Sequence, residues 1–406
     1  MKILMAHNRY LEPGGEDISF RMEVEMLRRN GCEVVTYEDD NKRVAQLGGL
    51  RTAARSIWSP ETYRKVRSIL RETRCDVVHV QNFFPLISPS IYYAARAEGV
   101  PVVQSLRNYR LMCPLGTLNR NGAVCEDCVG RVFPWPSVRR GCYRESGFAS
   151  GVVGSMLTVN KLLGTWAHMV DAYIALTENM RDRFVRGGLP ADRIFVKSNF
   201  LYPVPSPGAR GGDFALYVGR LTPEKGIGTL LQAWESVGCD LPLKVAGAGP
   251  MEPLVANGDG RSCVEFLGWQ PEDEVLRLMG AARFIVIPSQ WYEGQPRTVI
   301  EAFAKGAPVI ASDIGAMAEM IEDGKTGVLF TPGDAGELAA KVRWALDNTG
   351  TMTEMGARGR IAFERTFTAD RNFAALMEIY AQAAAMRRGR AGQLTAGYRA
   401  GHPNFG

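Results

Sequence analysis

Two glutamates eight positions apart, Glu293 and Glu301, stand in a segment whose pattern could support chemistry. They lie in EGQPRTVIEAFAKGAPVIAS, directly after the apolar run FIVIPS, which predicts a strand, a loop and then a helix. The free N–H groups and the positive dipole end of such a helix favour an anion, and the two carboxylates can accept hydrogen bonds from hydroxyl groups beside it. The segment therefore indicates a site for a phosphorylated sugar compound. Ordinary charge on a solvated helix face is the alternative.

A second loop carries cationic residues in an equivalent place. ALYVGRLTPEKGIGTLLQAW predicts a buried strand, a glycine turn and a helix, with Arg220 and Lys225 just before that helix. Loops that follow parallel strands of one sheet meet at a crevice outside the carboxyl ends of those strands. We therefore expect Arg220 and Lys225 to lie near Glu293 and Glu301.

Four motifs together carry a family resemblance. GRLTPEKG and EGQPRTVIEA, with PGGED as an N-terminal glycine loop and VEFLGW as a base-binding segment, resemble the retaining glycosyltransferases of family 4, of the bacterial polysaccharide-biosynthesis type. The resemblance spans nearly the whole chain. It implies an α/β protein of the GT-B fold, with two facing Rossmann-like domains and a cleft between them. It further implies sugar transfer from a nucleotide diphosphate donor, with retention at the anomeric carbon and no required cofactor.

The same resemblance implies roles for individual residues. Arg220 and Lys225 would touch the diphosphate, Glu301 would accept from the ribose hydroxyls, and Glu293 would contact the donor sugar; we predict Glu293, Arg220 and Lys225 as the catalytic set. No carboxylate is assigned as a nucleophile, because in retaining members of this fold the leaving phosphate is held to deprotonate the acceptor. The predicted donor-binding residues are Gly14, Gly15, Arg107, Gly219, Arg220, Lys225, Gly268, Glu293, Gly294, Thr298, Val299 and Glu301.

The chain departs from the family pattern at two positions. Pro296 stands where many relatives have glycine, and because proline lacks an N–H, a phosphate contact there would fall to Arg297 or Thr298. Arg107 stands where the family usually has a histidine near carbon 6 of the donor sugar. It could pair with a carboxylate and make the donor a uronic acid. A structural ion pair is the alternative.

Four of the eight cysteines cluster in one segment, and this grouping suggests a structural zinc more than disulfides. The metal would pin a loop over residues 108–147 that overhangs the acceptor cleft. Buried reduced thiols are the alternative, since zinc modules usually show two close pairs. The proposed ligands are Cys113, Cys125, Cys128 and Cys142, while Cys32, Cys75, Cys239 and Cys263 are expected to pack in the core.

Length and pattern predict two domains. The 406 residues exceed what one hydrophobic core usually serves, and strands alternate with helices as in doubly wound sheets. We predict an acceptor-binding Rossmann-like domain over residues 1–197 and a nucleotide-sugar-binding one over 198–388. The final helix of the second domain should cross back onto the first, and 389–406 should be a disordered tail. IFVKSN is expected to start the second domain, and FLYPVPSPGARGGD to form a linker.

Charge is divided unevenly between the halves. Residues 1–197 contain 28 Lys and Arg against 20 Asp and Glu, a net of +8, whereas the rest is net −3. The basic stretch RTAARSIWSPETYRKVRSILRETR could rest on an anionic membrane surface, or be an ordinary Rossmann helix with one solvated face. GFASGVVGSMLTVNKLLGTWAHMV is expected to be a buried or interfacial helix, since Asn160, Lys161 and His168 interrupt it. The modest charge and the lack of a recognisable module argue against nucleic acid as a partner.

The sequence thus predicts a cytoplasmic glycosyltransferase, peripheral on the inner face of the cytoplasmic membrane. It would use a UDP- or GDP-sugar donor and a glycan or lipid-linked acceptor. A GT-B epimerase acting on UDP-GlcNAc and a noncatalytic sugar-nucleotide-binding protein are the alternatives. The sequence leaves the donor base and sugar, the acceptor, the linkage and the oligomeric state open.

Overall fold

A computed structural model describes residues 1–11, 14–209, 212–256 and 263–400, with the side chains of 390–400 outside that description. Two parallel sheets, each flanked by helices, form the architecture, as the GT-B prediction requires, and residues 119–124 add a small antiparallel hairpin. Within these ranges, none of the helices is both long enough and apolar enough to cross a bilayer.

The first sheet has six parallel strands in the order β2-β1-β3-β4-β7-β8. Its central strands are buried along nearly their whole length because helices cover both faces. The elements of this half are β1 (Lys2–Arg9), α1 (Gly15–Arg29), β2 (Glu33–Asp40), α2 (Lys42–Leu47), α3 (Gly49–Ile57), α4 (Pro60–Thr73), β3 (Val77–Asn82), α5 (Ser90–Ala97), β4 (Val102–Leu106), β5 (Asn119–Arg120), β6 (Ala123–Val124), α6 (Trp135–Arg140), α7 (Gly147–Leu162), α8 (Thr165–His168), β7 (Ala172–Ala175), α9 (Glu178–Arg186) and β8 (Ile194–Val196).

The second sheet also has six parallel strands, in the order β11-β10-β9-β12-β13-β14. Strand order therefore reverses between β9 and β12, and a crevice opens outside the carboxyl ends of these two neighbours. The elements of this half are β9 (Ala215–Val218), α10 (Ile227–Val237), β10 (Leu243–Ala246), α11 (Glu252–Ala256), β11 (Val264–Gly268), α12 (Glu272–Ala281), β12 (Phe284–Ile287), α13 (Arg297–Lys305), β13 (Val309–Ser312), α14 (Ala316–Met320), β14 (Val328–Phe330), α15 (Ala335–Asp347), α16 (Thr349–Thr366) and α17 (Ala369–Ala400).

Helix α17 joins the two halves. It leaves the second domain and packs on the first, where Leu376, Ile379 and Tyr380 enter the same core cluster as Ile3 and Met5 of β1. This is the crossing predicted for the last helix. The helix continues through residues 389–400, which the sequence assigns to a disordered tail, and 401–406 lie outside the described residues.

Two sequence expectations are wrong. IFVKSN does not begin the second sheet, because β8 pairs in parallel with β7 at the edge of the first sheet. Cys239 and Cys263 are not separate core residues, since they form a disulfide.

The basic stretch 51–74 folds mainly as helices of an ordinary Rossmann layer. Ser59 caps the start of helix α4, where its side chain accepts from the Thr62 N–H, and the helix buries Val66 and Leu70 in the core of the first domain. On its outer side, Arg67 and Arg71 share the carboxylate of Glu98 at 2.6 and 3.0 Å. These ion pairs favour the Rossmann-helix interpretation over a membrane surface at α4.

Candidate active site

The loops after β9 and β12 meet at the point where the strand order of the second sheet reverses. Gly226 makes this possible: its backbone has φ +74°, and a side chain there would overlap the carbonyl oxygen of Pro288 at the end of β12. The close approach brings Lys225 to Glu293, with Nζ 2.5 Å from Oε1. The structure thus unites two residues that lie 68 positions apart in the sequence.

Glu293 is buried and ionised. It accepts hydrogen bonds from Lys225 and from the Ser289 hydroxyl, the latter at 2.8 Å. Burial by itself would raise the pKa of this carboxyl, but the charge of Lys225 and the hydrogen bonds outweigh burial and hold the pKa below its usual value. No sequence signal singles out Ser289, because its role depends on the fold of the loop.

Glu301 lies on α13 and behaves differently from Glu293. Arg297, one turn earlier, contacts its carboxylate at 3.2 Å, as in an i, i+4 pair. Burial outweighs this partner and raises the pKa of Glu301. The pKa values of Glu293 and Glu301 are therefore shifted in opposite directions. Such opposite shifts are typical of functional sites in which two carboxylates have different roles.

Arg297 also connects the two halves across the cleft. Its Nη1 lies 3.2 Å from the Met22 sulfur of α1, and a side chain at Gly15 would lie 3.8 Å from its Cδ. The glycine loop thus faces the start of α13, with Gly14 as the N-cap of α1 and its N–H donated to Asp17 at 2.9 Å. Arg297 therefore lies where the glycine loop and the start of α13 face each other.

A polar network on the first domain borders this loop. Glu16 accepts from Tyr10 and from Asn108, both at 3.0 Å. His7 bonds Asp17 at 2.9 Å. Sequence reasoning did not find Tyr10 or Asn108, which follow β1 and β4 without any motif of their own.

Arg220 stands apart from the buried pair. Its side chain is 65% exposed, and Glu224 lies 3.7 Å from its guanidinium. Gly219, next to it, donates to the Ala246 carbonyl at 3.1 Å, while Gly268 accepts from the Gly247 N–H at 2.8 Å. Arg220 thus lies on the loop of Lys225 but reaches solvent.

The remaining predicted donor residues lie at the start of α13. Thr298 is partly exposed in its first turn. Val299 packs fully into the core, and its N–H donates to Pro296 at 3.2 Å, so its side chain does not face the cleft. Gly294 sits against the first domain, where an added Cβ would lie 3.1 Å from the Arg107 carbonyl oxygen.

Arg107 is committed to contacts within the protein. Its guanidinium donates to Gln81 at 2.8 Å and to Asn199, and it lies 3.4 Å from Glu23. Lys197 contacts the same glutamate at 3.2 Å. Burial lowers the pKa of Arg107, although Glu23 acts in the opposite direction. The structural ion pair, which the sequence left open, is the arrangement that the structure contains.

The four clustered cysteines are free thiols in this structure. Burial raises the pKa of Cys128 to about 11, and the neighbouring thiols add to this. Across the described parts of the chain, no group of three or more His, Cys, Asp or Glu side chains is positioned to hold a metal ion. All four thiols are partly buried, and the zinc site at Cys113, Cys125, Cys128 and Cys142 stays a prediction.

Family models match both halves of the chain. Residues 14–199 match the glycosyl transferase 4-like domain, and residues 206–362 match the glycosyl transferases group 1. An uncharacterized glycosyltransferase of Methanocaldococcus jannaschii is 28% identical over 41% of this chain and 48% of its own length. The amylovoran biosynthesis glycosyltransferase AmsK of Erwinia amylovora is 34% identical over 31% of this chain and 34% of its own length. These alignments thus span less than half of either relative.

The fold has a solved counterpart. The Anabaena protein HepE in complex with UDP-glucose superimposes with a TM-score of 0.65, at 16% identity, over 94% of this chain and 100% of that one. At this identity the likeness concerns the fold alone. Since the two family models together cover most of the chain and the architecture is the one predicted, the chain belongs to the GT-B glycosyltransferases, with a family 4-like N-terminal half and a group 1 C-terminal half.

Proposed function

We propose that this chain is a retaining glycosyltransferase that moves a sugar from a UDP- or GDP-sugar to a lipid-linked glycan in polysaccharide synthesis. The observation that carries the proposal is the buried Lys225–Glu293 pair at the strand-order reversal of a group 1 domain. Ligands of open α/β sheets bind at such a reversal, and the pair supplies a cation and a carboxylate at one point. A diphosphate would pair with the cation, and sugar hydroxyls would donate to the carboxylate.

The proposed chemistry follows from charge development. As the bond between sugar and diphosphate lengthens, negative charge grows on the phosphate oxygens and positive charge on the sugar ring. Lys225, Arg220 and Arg297 would offset the first charge. Glu293, ionised and fixed by two donors, would accept from the sugar hydroxyls, and Glu301 from the ribose.

The donor sugar is proposed to be a neutral hexose. Gln81, Asn199 and Glu23 already surround the Arg107 guanidinium, so a donor carboxylate would have to displace them. We therefore do not extend the proposal to a uronic acid. Because the HepE structure contains UDP-glucose, a UDP-sugar is the first donor to test. Preference for a uronic acid donor that is lost in Arg107→Ala would reverse this choice.

The proposed acceptor is a lipid-linked glycan at the inner face of the cytoplasmic membrane. The name of AmsK places that relative in the synthesis of a polysaccharide, amylovoran, which supports a growing glycan as the acceptor class. The basic first domain, net +8 over residues 1–197, suits an anionic membrane surface.

Nucleotide release tests the proposal against its rivals. The protein is incubated with single UDP- and GDP-sugars, with and without a bacterial membrane extract, and free UDP or GDP is measured. Release that depends on the extract supports transfer, and anomeric analysis of the product tests retention. An epimerase, which the family matches do not favour, would convert UDP-GlcNAc into its epimer without any extract, as chromatography of the nucleotide sugar would show, and a binding protein would neither convert it nor release nucleotide.

A further inference from the structure

Helix α7 carries an apolar stripe that faces solvent. Phe148, Val152, Val159 and Leu162 recur at helical spacing on one side, and Leu163 follows at its end. Phe148, near the start of the helix, is 67% exposed, and Val159 and Leu162, near its end, are 40% and 73% exposed, so the exposed apolar side chains extend along the whole helix. We call this set the α7 stripe.

Helix α7, which carries the stripe, is packed firmly on the first domain. The opposite side of the helix buries Val153, Met156 and Leu157 in the main core of the first domain. Gly154 lets the chain before α6 approach, since an added Cβ would lie 3.0 Å from Pro134. The helix is therefore apolar on both sides, with one side packed in protein and the other open. Among soluble proteins such a helix indicates a contact surface.

Basic residues border the α7 stripe. Thr158 donates to the Val132 carbonyl at 2.8 Å and Lys161 donates to the Arg131 carbonyl at 3.2 Å, so residues 130–138 run along α7. This segment leads into an open hollow of about 510 Å³ beside the helix. The residues that line the hollow are Arg131, Trp135, Pro136, Arg139 and Arg140. Arg140 pairs with the Asp127 carboxylate, so the exposed Arg131 and Arg139 would supply the phosphate contacts beside Trp135 at an apolar interface.

We infer that the α7 stripe and the arginine hollow dock the protein on an anionic phospholipid bilayer. Residues 131–168 contain five Arg or Lys and one acidic residue, Glu145. Apolar side chains would enter the acyl boundary while the arginines bind lipid phosphates. A second copy of the chain is the less favourable occupant, because a symmetric contact would bring two basic borders together. This inference rests on the proposed lipid-linked acceptor, because that acceptor gives the protein a reason to bind a membrane. The docking surface itself follows from the exposed side chains of α7 and of the arginine hollow.

Vesicle binding tests the inference. The full chain is mixed with phosphatidylcholine vesicles, with or without phosphatidylglycerol, and the bound fraction is measured by flotation. We expect binding to the anionic vesicles only, weakened by salt. Phe148→Ser with Leu162→Ser should weaken it at least about tenfold, and Arg131→Glu with Arg139→Glu comparably. Ile361→Ser and Arg365→Glu, which change exposed residues of α16, are the matched controls and should bind as wild type.

Several results would overturn the inference. These are wild-type binding by Phe148→Ser/Leu162→Ser, equal binding of the native protein to neutral vesicles, or dimerisation through the stripe in sedimentation experiments without vesicle binding. UDP affinity, GDP affinity and thermal unfolding are measured on the same preparations. A protein that binds UDP but no vesicles contradicts the docking surface alone, whereas one that binds vesicles but no nucleotide contradicts the proposed function alone.

Discussion

Replacing Lys225 with methionine removes the cation of the buried pair and leaves its carboxylate in place. Lys225 is 19% exposed and its Nζ lies 2.5 Å from a glutamate whose side chain is 9% exposed. Loss of one partner from a buried pair costs about 3 to 5 kcal/mol of folding free energy. Ser289 still donates to Glu293, so we expect the lower end of that range, about 3 kcal/mol, at pH 7.

The cost should depend on pH. In the native protein the pKa of Glu293 lies below its ordinary value of 4.5, so its stabilising effect is full above pH 4.5 and is lost as the pH falls through the lower folded value. In Lys225→Met, Glu293 stays buried but loses the positive charge that most strongly opposes the effect of burial. The pKa of Glu293 therefore moves above 4.5. That variant loses stability as the pH rises from 4.5 through the raised folded pKa of Glu293. The difference between the two proteins should therefore shrink to about 1 kcal/mol at pH 4.

Urea unfolding at pH 4 and pH 7, followed by circular dichroism, measures both values. Lys325→Met is the matched control, because Lys325 pairs with Glu322 on the surface, with both side chains about two-thirds exposed. It should change stability by less than about 0.5 kcal/mol at either pH. If Lys225→Met resembles this control, or costs the same at both pH values, the reasoning about a buried ionised pair is refuted. The kcat of Lys225→Met should also fall about a hundredfold if Lys225 offsets the negative charge of the diphosphate.

Three further substitutions test other parts of the structure. Glu301→Gln should weaken UDP binding about tenfold in calorimetry, whereas Glu272→Gln, on the exposed side of the same arginine, should leave it within about twofold. Gly226→Ala should cost about 2 kcal/mol or more in urea unfolding because of its φ of +74° and the nearby carbonyl; Gly228→Ala, with open space around it, should be neutral or slightly stabilising. Burial lowers the pKa of His79 from 6.5 to about 4, so stability should fall as the pH drops from 6.5 to 4, and His79→Gln should reduce that slope.

The fold was largely predictable because both sheets are parallel and covered on both sides. Strands such as VVHVQN and FIVI then read as short buried runs, and the helices between them complete the alternation. IFVKSN was misplaced because an edge strand looks the same at the end of one sheet as at the start of the next. Cys239 and Cys263 were misjudged because pairing depends on their separation in space, which spacing in the sequence does not give.

The site was predictable as a set of loops but not as a set of contacts. The position of Lys225 and Glu293 after strands follows from the sequence, whereas their direct contact requires β9 and β12 to be neighbours. Arg107 illustrates the opposite difficulty. Its partners Gln81, Asn199 and Glu23 come from three separate segments of the chain. Because Arg107 replaces the histidine usual in the family, the sequence suggests a contact with the donor, whereas the structure shows contacts within the protein.

The state of Glu293 bears on which group takes the acceptor proton. A general base should have a pKa near the working pH, and a nucleophile needs a free lone pair directed at the reacting carbon. Glu293 has a lowered pKa and accepts from both Lys225 and Ser289, so it is poorly suited to either role. Glu301, with its raised pKa, is better suited to proton transfer, but it lies on α13 against Arg297, where the proposal places the ribose. Neither carboxylate is then well placed to act as the base, and this favours the departing phosphate oxygen, which the proposed function places beside Lys225, as the proton acceptor.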